Sequence, residues 1–333
     1  MKAAVFKEAR KMIVEDVPDP VAKAGEVVVK VKYSGICGSD LHLYQYGFAG
    51  HDTIMGHEAT GIVASVGDGV TDCKEGDRVL VRDTPCGECE RCRKYNNSFC
   101  ENPITHIGAY AEYFKVAGRF LEPLADDIGM KEAALMDPLG CAHHGVARAR
   151  MQPGETALVI GGGPIGLLVI QRLKDIGVDQ IILSEPVKPR AELAVELGAD
   201  IILGRTTARI DEEVMKLTDR LGPDVVFECV GIPSTTLDST ALVRKNGRVV
   251  WVGVCMEEVS IWPMAWNLKN ISVEAIMDWG PDENVKEYLK FIANKQDEIS
   301  KIITDIISLD ELPEAFEKLL QPNMEAKVMV KFD

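Results

Sequence analysis

Short runs that alternate between apolar and polar residues fill the first 81 residues of the chain. MIVEDV, EVVVKVKYSGIC and GDRVLV are three such runs, and Gly, Asp and Pro separate them. A period of two predicts β-strands joined by turns. AYAEYFKV, at residues 109–116, predicts a further strand. We therefore expect a barrel-like β fold here, with its motifs on strand ends and loops.

The pattern changes after residue 155, where apolar strand-like segments such as TALVIGGG, QIILSEP and RVVWVGV alternate with amphipathic helical stretches. This order predicts an α/β fold with a parallel sheet covered by helices on both faces. A helical run after Asp127 is expected to bridge the two parts. Residues 281–320 are predicted to be helical, and the closing strand AKVMVKF is expected to rejoin the N-terminal β part. The predicted domains are therefore 1–142 with 282–333, and 143–281.

Length and composition narrow the possible functions. A chain of 333 residues fits two domains, which implies a cleft between them. No apolar run approaches the roughly 20 residues that a membrane span needs, and the start lacks a signal-peptide pattern, so a cytoplasmic protein is expected. A net charge of −15 would repel nucleic acid phosphates. We expect neither membrane nor nucleic acid as a partner.

Four of the nine cysteines are clustered, with CxxCxxCx7C spacing. In a cytosolic chain these thiols should be reduced, so metal binding is the leading explanation. Four sulfurs leave no open position on a tetrahedral ion, which predicts a structural zinc site. An iron–sulfur cluster is less favoured because no Pro follows the last cysteine. The ligands would be Cys86, Cys89, Cys92 and Cys100.

A second metal site is predicted within residues 34–58, which contain Cys37, His42, His57 and Glu58. A thiolate, imidazoles and a carboxylate suit zinc better than magnesium or calcium. A catalytic zinc uses three protein ligands and keeps one position for water or substrate. Cys37 and His57 are the firm candidates for its ligands.

The glycine turn GGGPIG, at residues 161–166, predicts a dinucleotide site. Gly161, Gly163 and Gly166 follow an apolar strand and open a helix, and Glu185 ends the next strand, 19 positions beyond Gly166. The helix N-terminus favours the pyrophosphate. Glu185 would bind the adenosine ribose and repel a 2′-phosphate, which favours NAD over NADP. The turn residues Pro164 and Ile165, and Arg190 beyond Glu185, complete the candidate cofactor contacts, although Arg190 and Lys188 weaken the preference for NAD.

These motifs together resemble the medium-chain zinc-dependent alcohol dehydrogenases, especially the branch of sorbitol, threonine and butanediol dehydrogenases. GICGSDLH, GHEATGIV, the four-cysteine segment, DPLGCAHHG and GGGPIG occur in that family's order and span essentially the whole chain. The resemblance implies a GroES-like catalytic domain and a Rossmann NAD-binding domain. It also implies two zinc ions per chain, and a homodimer or homotetramer.

The resemblance assigns further residues. The third ligand of the catalytic zinc would be Glu58 or Asp137. Asp40 would orient the ligand histidine, although it could simply cap a turn. Ser39 and His42 would carry a proton to solvent, with a surface histidine as the alternative for His42. The segments between His42 and His57, and between Cys100 and Tyr110, are shorter than in most relatives, which implies an open substrate pocket.

The predicted reaction transfers a hydride from a secondary alcohol to NAD⁺ and leaves a ketone. The alcohol would be a polyol or a sugar-derived compound. Threonine or a small diol such as butanediol is the alternative substrate. A catalytically inactive zinc- and nucleotide-binding protein is the alternative from another class. Tyr44, Tyr46 and Trp279 could line the substrate pocket, although aromatic residues near loops more often serve packing.

Overall fold

The computed structural model describes residues 1–82, 86, 89–95, 100–101, 108–204, 210–277, 279 and 284–333. The chain forms two compact units, one of Met1–Asp137 with Pro281–Asp333 and one of Pro138–Gly280. The sequence predicts the first boundary at 142/143. The observed division lies a little earlier, inside the helix Met136–Ala149.

The described residues form the following elements. The strands are β1 (Lys2–Glu8), β2 (Lys11–Asp16), β3 (Glu26–Gly35), β4 (Thr53–Ile54), β5 (Glu58–Val66), β6 (Arg78–Val81), β7 (Tyr113–Ala117), β8 (Leu121–Pro123), β9 (Thr156–Ile160), β10 (Gln180–Ser184), β11 (Ile201–Leu203), β12 (Val225–Glu228), β13 (Arg248–Trp251), β14 (Ser272–Ala275), β15 (Ile303–Ile307) and β16 (Lys327–Lys331). The α-helices are α1 (Gly38–Tyr46), α2 (Glu90–Tyr95), α3 (Met130–Ala133), α4 (Met136–Ala149), α5 (Pro164–Ile176), α6 (Lys188–Glu196), α7 (Ile210–Leu217), α8 (Pro233–Leu242), α9 (Pro263–Lys269), α10 (Val285–Asn294), α11 (Gln296–Ser300) and α12 (Leu312–Leu319).

The first unit is organised around strand β3. It belongs to a seven-stranded sheet of order β15-β16-β3-β5-β6-β8, in which β7 also pairs with β3. A separate three-stranded sheet has the order β2-β1-β4. Val27, Val29 and Val31 of β3 are fully buried, because alternate side chains of a strand point to the same face. The alternation in EVVVKVKYSG thus buries β3 at the centre of the unit.

The register of three strands brings distant parts of the sequence together. Gly35 at the end of β3 pairs with Glu58 of β5 and with Met329 of β16, both antiparallel. A Cβ on Gly35 would lie 2.0 Å from Glu58 Oε2, so a side chain at this position would collide with the carboxylate. The closing strand therefore joins the N-terminal sheet, as the sequence predicts.

An aromatic cluster packs against this sheet. Phe316 of α12 contacts the rings of Tyr44 and Tyr110 edge-on, with centroids 5.1 and 5.8 Å apart. All three side chains are buried. The cluster anchors helix α1, which begins directly after Cys37.

The second unit contains a six-stranded sheet of order β11-β10-β9-β12-β13-β14, and its neighbouring strands all run parallel. β9 and β12 lie side by side at the centre of the sheet. The strands that follow β9 extend toward one edge of the sheet, and the strands that follow β12 extend toward the other edge. Ligands bind at such a reversal of strand order, beyond the carboxyl ends of the strands. The glycine turn follows β9 at this point.

The prediction of a continuous helical stretch over residues 281–320 is wrong. Strand β15 interrupts it and pairs in parallel with β16. The residues IITDII are mostly β-branched, and an available sheet edge outweighs the helical propensity of their neighbours. Near residue 109, the predicted strand is shifted: Ala111 makes an isolated bridge to Ala3, and β7 begins only at Tyr113.

No helix in the part of the chain that the structure describes is long and apolar enough to cross a membrane. The nine cysteines all lie in this part, and none of them forms a disulfide bond.

Candidate active site

Four side chains from three separate segments meet in the first unit. One ligand atom each of Cys37, His57, Glu58 and Asp137 lies within 4.8 Å of the others. Cys37 precedes α1, Glu58 begins β5, and Asp137 lies in the first turn of α4. A thiolate, an imidazole and carboxylates at this separation can surround one zinc ion. The residues expected from sequence to bind the catalytic metal are thus brought together.

The ring of His57 is oriented by Asp40. His57 Nδ1 lies 3.5 Å from Asp40 Oδ1, whereas Nε2 lies 3.9 Å from Asp137 Oδ2. A proton on Nδ1 would face Asp40 and leave the Nε2 lone pair for a metal, which is the usual arrangement around a ligand histidine. Asp40 also accepts a 3.4 Å hydrogen bond from the backbone N–H of Cys37. It therefore caps α1 as well as facing the histidine.

Tyr110 holds the other side of the Asp40 carboxylate. Its hydroxyl donates to Asp40 Oδ2 at 2.5 Å and also lies 3.2 Å from the carbonyl oxygen of Gly35. Burial opposes the charged form of Asp40, but His57, Tyr110 and the Cys37 N–H outweigh it, so the pKa of Asp40 is lowered. Burial likewise lowers the pKa of His57, but Asp40 and Cys37 raise it well above its usual value. These groups stabilise one another as charged or strongly polarised partners.

Glu58 is paired with a buried lysine. Lys327 Nζ contacts Glu58 Oε2 and donates a 2.9 Å hydrogen bond to the carbonyl oxygen of Ile36. Glu58 and Lys327 are only 3% and 2% exposed, so each needs the charge of the other. Burial raises the pKa of Glu58, and the neighbouring Asp137 adds to this effect, while Lys327 and His57 oppose it. Glu58 Oε1 is buried without a hydrogen-bond partner among the described residues, and such an orphaned acceptor fits a metal ligand.

Ser39 and His42 lie three positions apart on α1 and so share one face of the helix. The hydroxyl of Ser39 donates to Cys37 Sγ at 3.2 Å. Burial lowers the pKa of His42, and its ring stacks on Tyr46 with centroids 6.3 Å apart. His42 is therefore partly enclosed, on the helix that begins directly after Cys37.

The three aromatic residues considered for a substrate pocket differ in their surroundings. Tyr44 is buried and donates a 2.8 Å hydrogen bond to Glu317. Trp279 is buried, and a Cβ on Gly140 would lie 2.7 Å from its ring, so it packs tightly within the second unit. Tyr46 is exposed. The expectation of an open pocket rests partly on the segment between Cys100 and Tyr110, and residues 102–107 of that segment lie outside the described part of the chain.

The four clustered cysteines form a second candidate metal centre. Sγ atoms of Cys86, Cys89, Cys92 and Cys100 lie within 4.8 Å of one another. Backbone N–H groups point at the sulfurs: Cys86 N–H donates to Cys100 Sγ at 3.1 Å, and Cys89 N–H donates to Cys86 Sγ at 3.4 Å. Backbone hydrogen bonds lower the pKa of Cys89 to about 6. Thiolates are the form that binds zinc, so the site suits a structural ion.

The glycine turn of the second unit has the geometry of a phosphate-binding loop. Gly161 has a φ of +101°, a conformation that favours glycine. A Cβ on Gly166 would lie 1.9 Å from the Gly161 carbonyl oxygen, whereas one on Gly163 would meet nothing within 4 Å. The turn is thus tight on its inner side and open at Gly163. Pro164 starts helix α5, and Ile165 follows it in the first turn.

Glu185 closes the other side of this turn. It is buried, accepts a 2.6 Å hydrogen bond from the Gly162 N–H and a 2.7 Å bond from the Val187 N–H. Each carboxylate oxygen keeps a second lone pair for a ligand hydroxyl. Arg190 lies in the first turn of α6 and is half-buried.

Sequence reasoning missed Tyr110 and Lys327. Tyr110 lies in a segment, residues 109–116, whose pattern predicts only a strand. Lys327 carried a signal, since it stands first in a strand whose next three residues are buried and apolar. A lysine that is itself buried needs a carboxylate partner, but its identity depends on strand register.

Lys327→Met should destabilise the metal-free protein. It leaves the Glu58 carboxylate buried and uncompensated, so the free energy of unfolding should fall by about 3–5 kcal/mol. Urea unfolding followed by circular dichroism, in the presence of a chelator, measures this loss. Adding Glu58→Gln should recover part of it, because neither charge then remains.

Lys331→Met is the matched control, because Lys331 is on the same strand but exposed. This variant should change stability by no more than about 0.5 kcal/mol. Equal effects of the two lysine variants would contradict the role of the buried pair.

Known proteins are similar to this chain over nearly its whole length. The family model described as alcohol dehydrogenase GroES-like domain matches residues 23–126, and the one described as zinc-binding dehydrogenase matches residues 164–294. Sorbitol dehydrogenase of Bacillus subtilis (strain 168) is 33% identical, covering 99% of this chain and 97% of its own. (R,R)-butanediol dehydrogenase of Neisseria gonorrhoeae is 32% identical, covering 99% of each chain.

Solved structures are similar over the same length. One, of a protein described as a zinc-binding dehydrogenase from Sinorhizobium meliloti 1021 and bound to NADP, has a TM-score of 0.90 and 30% identity, covering 99% of each chain. The chain thus belongs to the zinc-dependent medium-chain alcohol dehydrogenase family, with a GroES-like domain and a Rossmann-type parallel-sheet domain.

Proposed function

We propose that this protein oxidises a secondary alcohol of a polyol or sugar-derived compound to a ketone, with zinc and NAD⁺. One observation carries the proposal. The same chain combines a Cys37, His57, Glu58 and Asp137 cluster with a glycine turn closed by an acidic residue. A metal-binding module alone would not need the turn, and a nucleotide-binding module alone would not need the mixed ligand set.

A zinc ion held by such a cluster would lower the pKa of an alcohol, and a nicotinamide cofactor would supply the hydride acceptor. Cys37 and His57 would hold the ion, with Glu58 or Asp137 as the third ligand. Asp40 would keep His57 in the required tautomer. Ser39 and His42 would take the alcohol proton toward solvent along one face of α1.

The proposed substrate class follows the relatives. The Bacillus relative is named for sorbitol, a polyol, and the Neisseria relative for butanediol, a small diol. Both names denote compounds with neighbouring hydroxyl groups. A small diol is therefore the second candidate for this chain.

The first experiment counts zinc in the purified protein and follows NADH absorbance with polyols, sugars, diols and threonine. We expect two zinc ions per chain and turnover of one of these classes. Two zinc ions with NADH binding but no turnover would favour the catalytically inactive binding protein.

Cys37→Ser should remove one of the two zinc ions and abolish turnover, because oxygen replaces the soft thiolate. The fold should persist, since the four-cysteine site is untouched. Metal analysis and the NADH assay measure both effects on the same sample.

Cys73→Ser is the control, since Cys73 is a thiol of the same unit outside both clusters. This variant should keep both zinc ions and full turnover. Retained activity in Cys37→Ser, or loss of its fold, would refute the assignment of Cys37.

Glu185→Gln should weaken the preference for NAD over NADP. The variant removes the negative charge that repels a 2′-phosphate but keeps an acceptor for the Gly162 N–H. We expect the ratio of kcat/KM for NAD to that for NADP to fall roughly tenfold to a hundredfold, the usual worth of a charged hydrogen bond. NADP is included because the Sinorhizobium relative binds it.

Glu192→Gln provides the comparison, because Glu192 is an exposed residue on α6 that pairs with Lys188. The cofactor ratio should stay at the wild-type value in this variant. An unchanged ratio in Glu185→Gln would remove Glu185 from the specificity role.

We also propose that the protein is a homodimer joined along strand β14, or a tetramer of such dimers. Within the described residues, β14 pairs only with β13, which leaves its outer backbone groups without a strand partner. Trp262, Met264 and Leu268, beside or within α9, are exposed. An edge strand flanked by apolar side chains can pair with its own copy across a two-fold axis.

Sedimentation should then give at least twice the chain mass of 36.5 kDa. Leu268→Arg should shift the protein toward the monomer, because it buries a charge in the interface. Met324→Arg is matched in exposure, 63% against 62%, and should leave the mass unchanged. A monomeric wild-type protein would exclude the assembly.

A further inference from the structure

The second unit contains a buried carboxylate that the proposed chemistry does not use. Glu228, the last residue of β12, is fully buried. Its Oε1 accepts hydrogen bonds from the backbone N–H groups of Val230 and Gly231, both at 2.9 Å. The carboxylate therefore folds the loop after β12, residues 229–232, back onto the end of the strand.

Glu228 also holds the loop after β13, residues 252–256. Its carbonyl oxygen accepts from the N–H groups of Val252 and Gly253, both at 2.9 Å. A Cβ on Gly253 would lie 2.7 Å from Glu228 Oε2, so a larger residue would displace the carboxylate. Gly231 has a φ of +77°, and a Cβ there would lie 2.5 Å from the Val254 carbonyl oxygen. One residue thus sets two loops in contact with each other.

These loops follow strands of one half of the parallel sheet, β12-β13-β14. The other half, β9-β10-β11, has a comparable turn after β9. β9 and β12 are each followed by a turn that ends in a proline starting a helix, Pro164 for α5 and Pro233 for α8. In the turn after β9, Gly163 faces open space, which suits a phosphate. In the turn after β12, the chain's own carboxylate already occupies the N–H groups of Val230 and Gly231. The second turn is therefore suited to a group without negative charge rather than to an anion.

The outer surface of the two loops is apolar. Val230 and Val254 are 43% and 38% exposed, although both stand at the carboxyl end of a parallel sheet, where ligands bind. The turns are also adjacent, since a Cβ on Gly161 would lie 2.6 Å from Val230 Cγ2. In a doubly wound fold, each half of the sheet takes one half of a dinucleotide. An apolar surface with saturated N–H groups fits the nicotinamide ring, which carries no negative charge in either redox state, and its ribose.

We propose that Glu228 is a positioning residue that shapes loops 229–232 and 252–256 to receive the nicotinamide half of the cofactor. The inference rests on the proposed function in one respect, namely that the cofactor is a nicotinamide dinucleotide. Glu228 itself does not touch the ligand. It acts through the positions of the Val230 and Val254 loops.

Calorimetric titration with NADH and with ADP-ribose isolates the contribution of the nicotinamide ring, because ADP-ribose keeps both riboses and both phosphates and lacks only that ring. Glu228→Gln removes the charge from the two backbone hydrogen bonds, and charge-assisted bonds are about twice as strong as neutral ones. We expect NADH affinity to fall about tenfold, and ADP-ribose affinity to change less than about twofold.

Glu155→Gln is the matched control, because it also removes the charge of a partly buried carboxylate in the second unit. Glu155 lies just before β9 and pairs with Arg248. It should lower the thermal midpoint without separating the two affinities. Val230→Ser tests the same surface without a buried change, and it should also weaken NADH binding selectively. This second variant keeps the test available if Glu228→Gln does not fold.

Each outcome has a distinct meaning. Selective loss of NADH affinity in Glu228→Gln supports the positioning role, and selective loss in Val230→Ser supports the placement of the nicotinamide ring on the apolar surface that Glu228 shapes. Equal loss of both ligands in Glu228→Gln, or no loss in either variant, overturns it. A wild-type protein that binds neither NADH nor ADP-ribose would instead refute the proposed cofactor.

Discussion

A buried charge must have a partner, and this constraint determines the candidate functional sites of both units. Asp40, Glu58, Glu185 and Glu228 are each no more than 5% exposed. Each stands at a strand end or in the first turn of a helix, where backbone N–H groups or a cation can reach it. Removing such a carboxylate from water without a partner costs several kcal/mol, so the local chain adopts the geometry that supplies one. The functional loops are thus held by requirements of folding as well as of chemistry.

In the first unit, the constraint ties the end of the chain to its beginning. Lys327 is buried only because Glu58 lies beside it, and the register of β16, β3 and β5 brings them together. The same register puts Gly35 against the Glu58 carboxylate and Cys37 just beyond the strand. The candidate metal cluster therefore depends on the C-terminal strand, although that strand contributes no ligand to it. A contact this distant in sequence forms only once the sheet is assembled.

The sequence predicted what is local. Cys37, His57 and the four clustered cysteines could be found because metal chemistry demands particular residue types at short spacing, and the glycine turn because strand, turn and helix are consecutive. Tyr110 was beyond reach, since its contact with Asp40 depends on how the segment before β7 crosses the sheet. Strand β15 was missed because its partner, β16, follows a helix. Where strand pairing or register determines a contact, the hydrophobic pattern along one strand does not predict that contact.

Glu185 and Glu228 illustrate this limit within one unit. Both end an apolar strand of the parallel sheet, and the same sequence signal marks both. The spacing from the glycine turn singled out Glu185, and nothing comparable singled out Glu228. The structure distinguishes them by their donors. The Glu185 side chain accepts from N–H groups of its own loop and of the glycine turn, whereas among the described residues that of Glu228 accepts only from its own loop.

The metal-free cluster is electrostatically unfavourable, which links its chemistry to the stability of the unit. Burial and the nearby Asp137 raise the pKa of Glu58, so the charged form of this carboxylate is disfavoured in the metal-free cluster. Lys327 relieves this only in part, because its single charge faces Glu58, Asp137 and the Cys37 sulfur together. A divalent cation would supply the missing positive charge at the point where these ligand atoms converge. Metal binding should therefore stabilise the folded unit as well as create an open coordination position, because any ion that binds only the folded state shifts the equilibrium toward it.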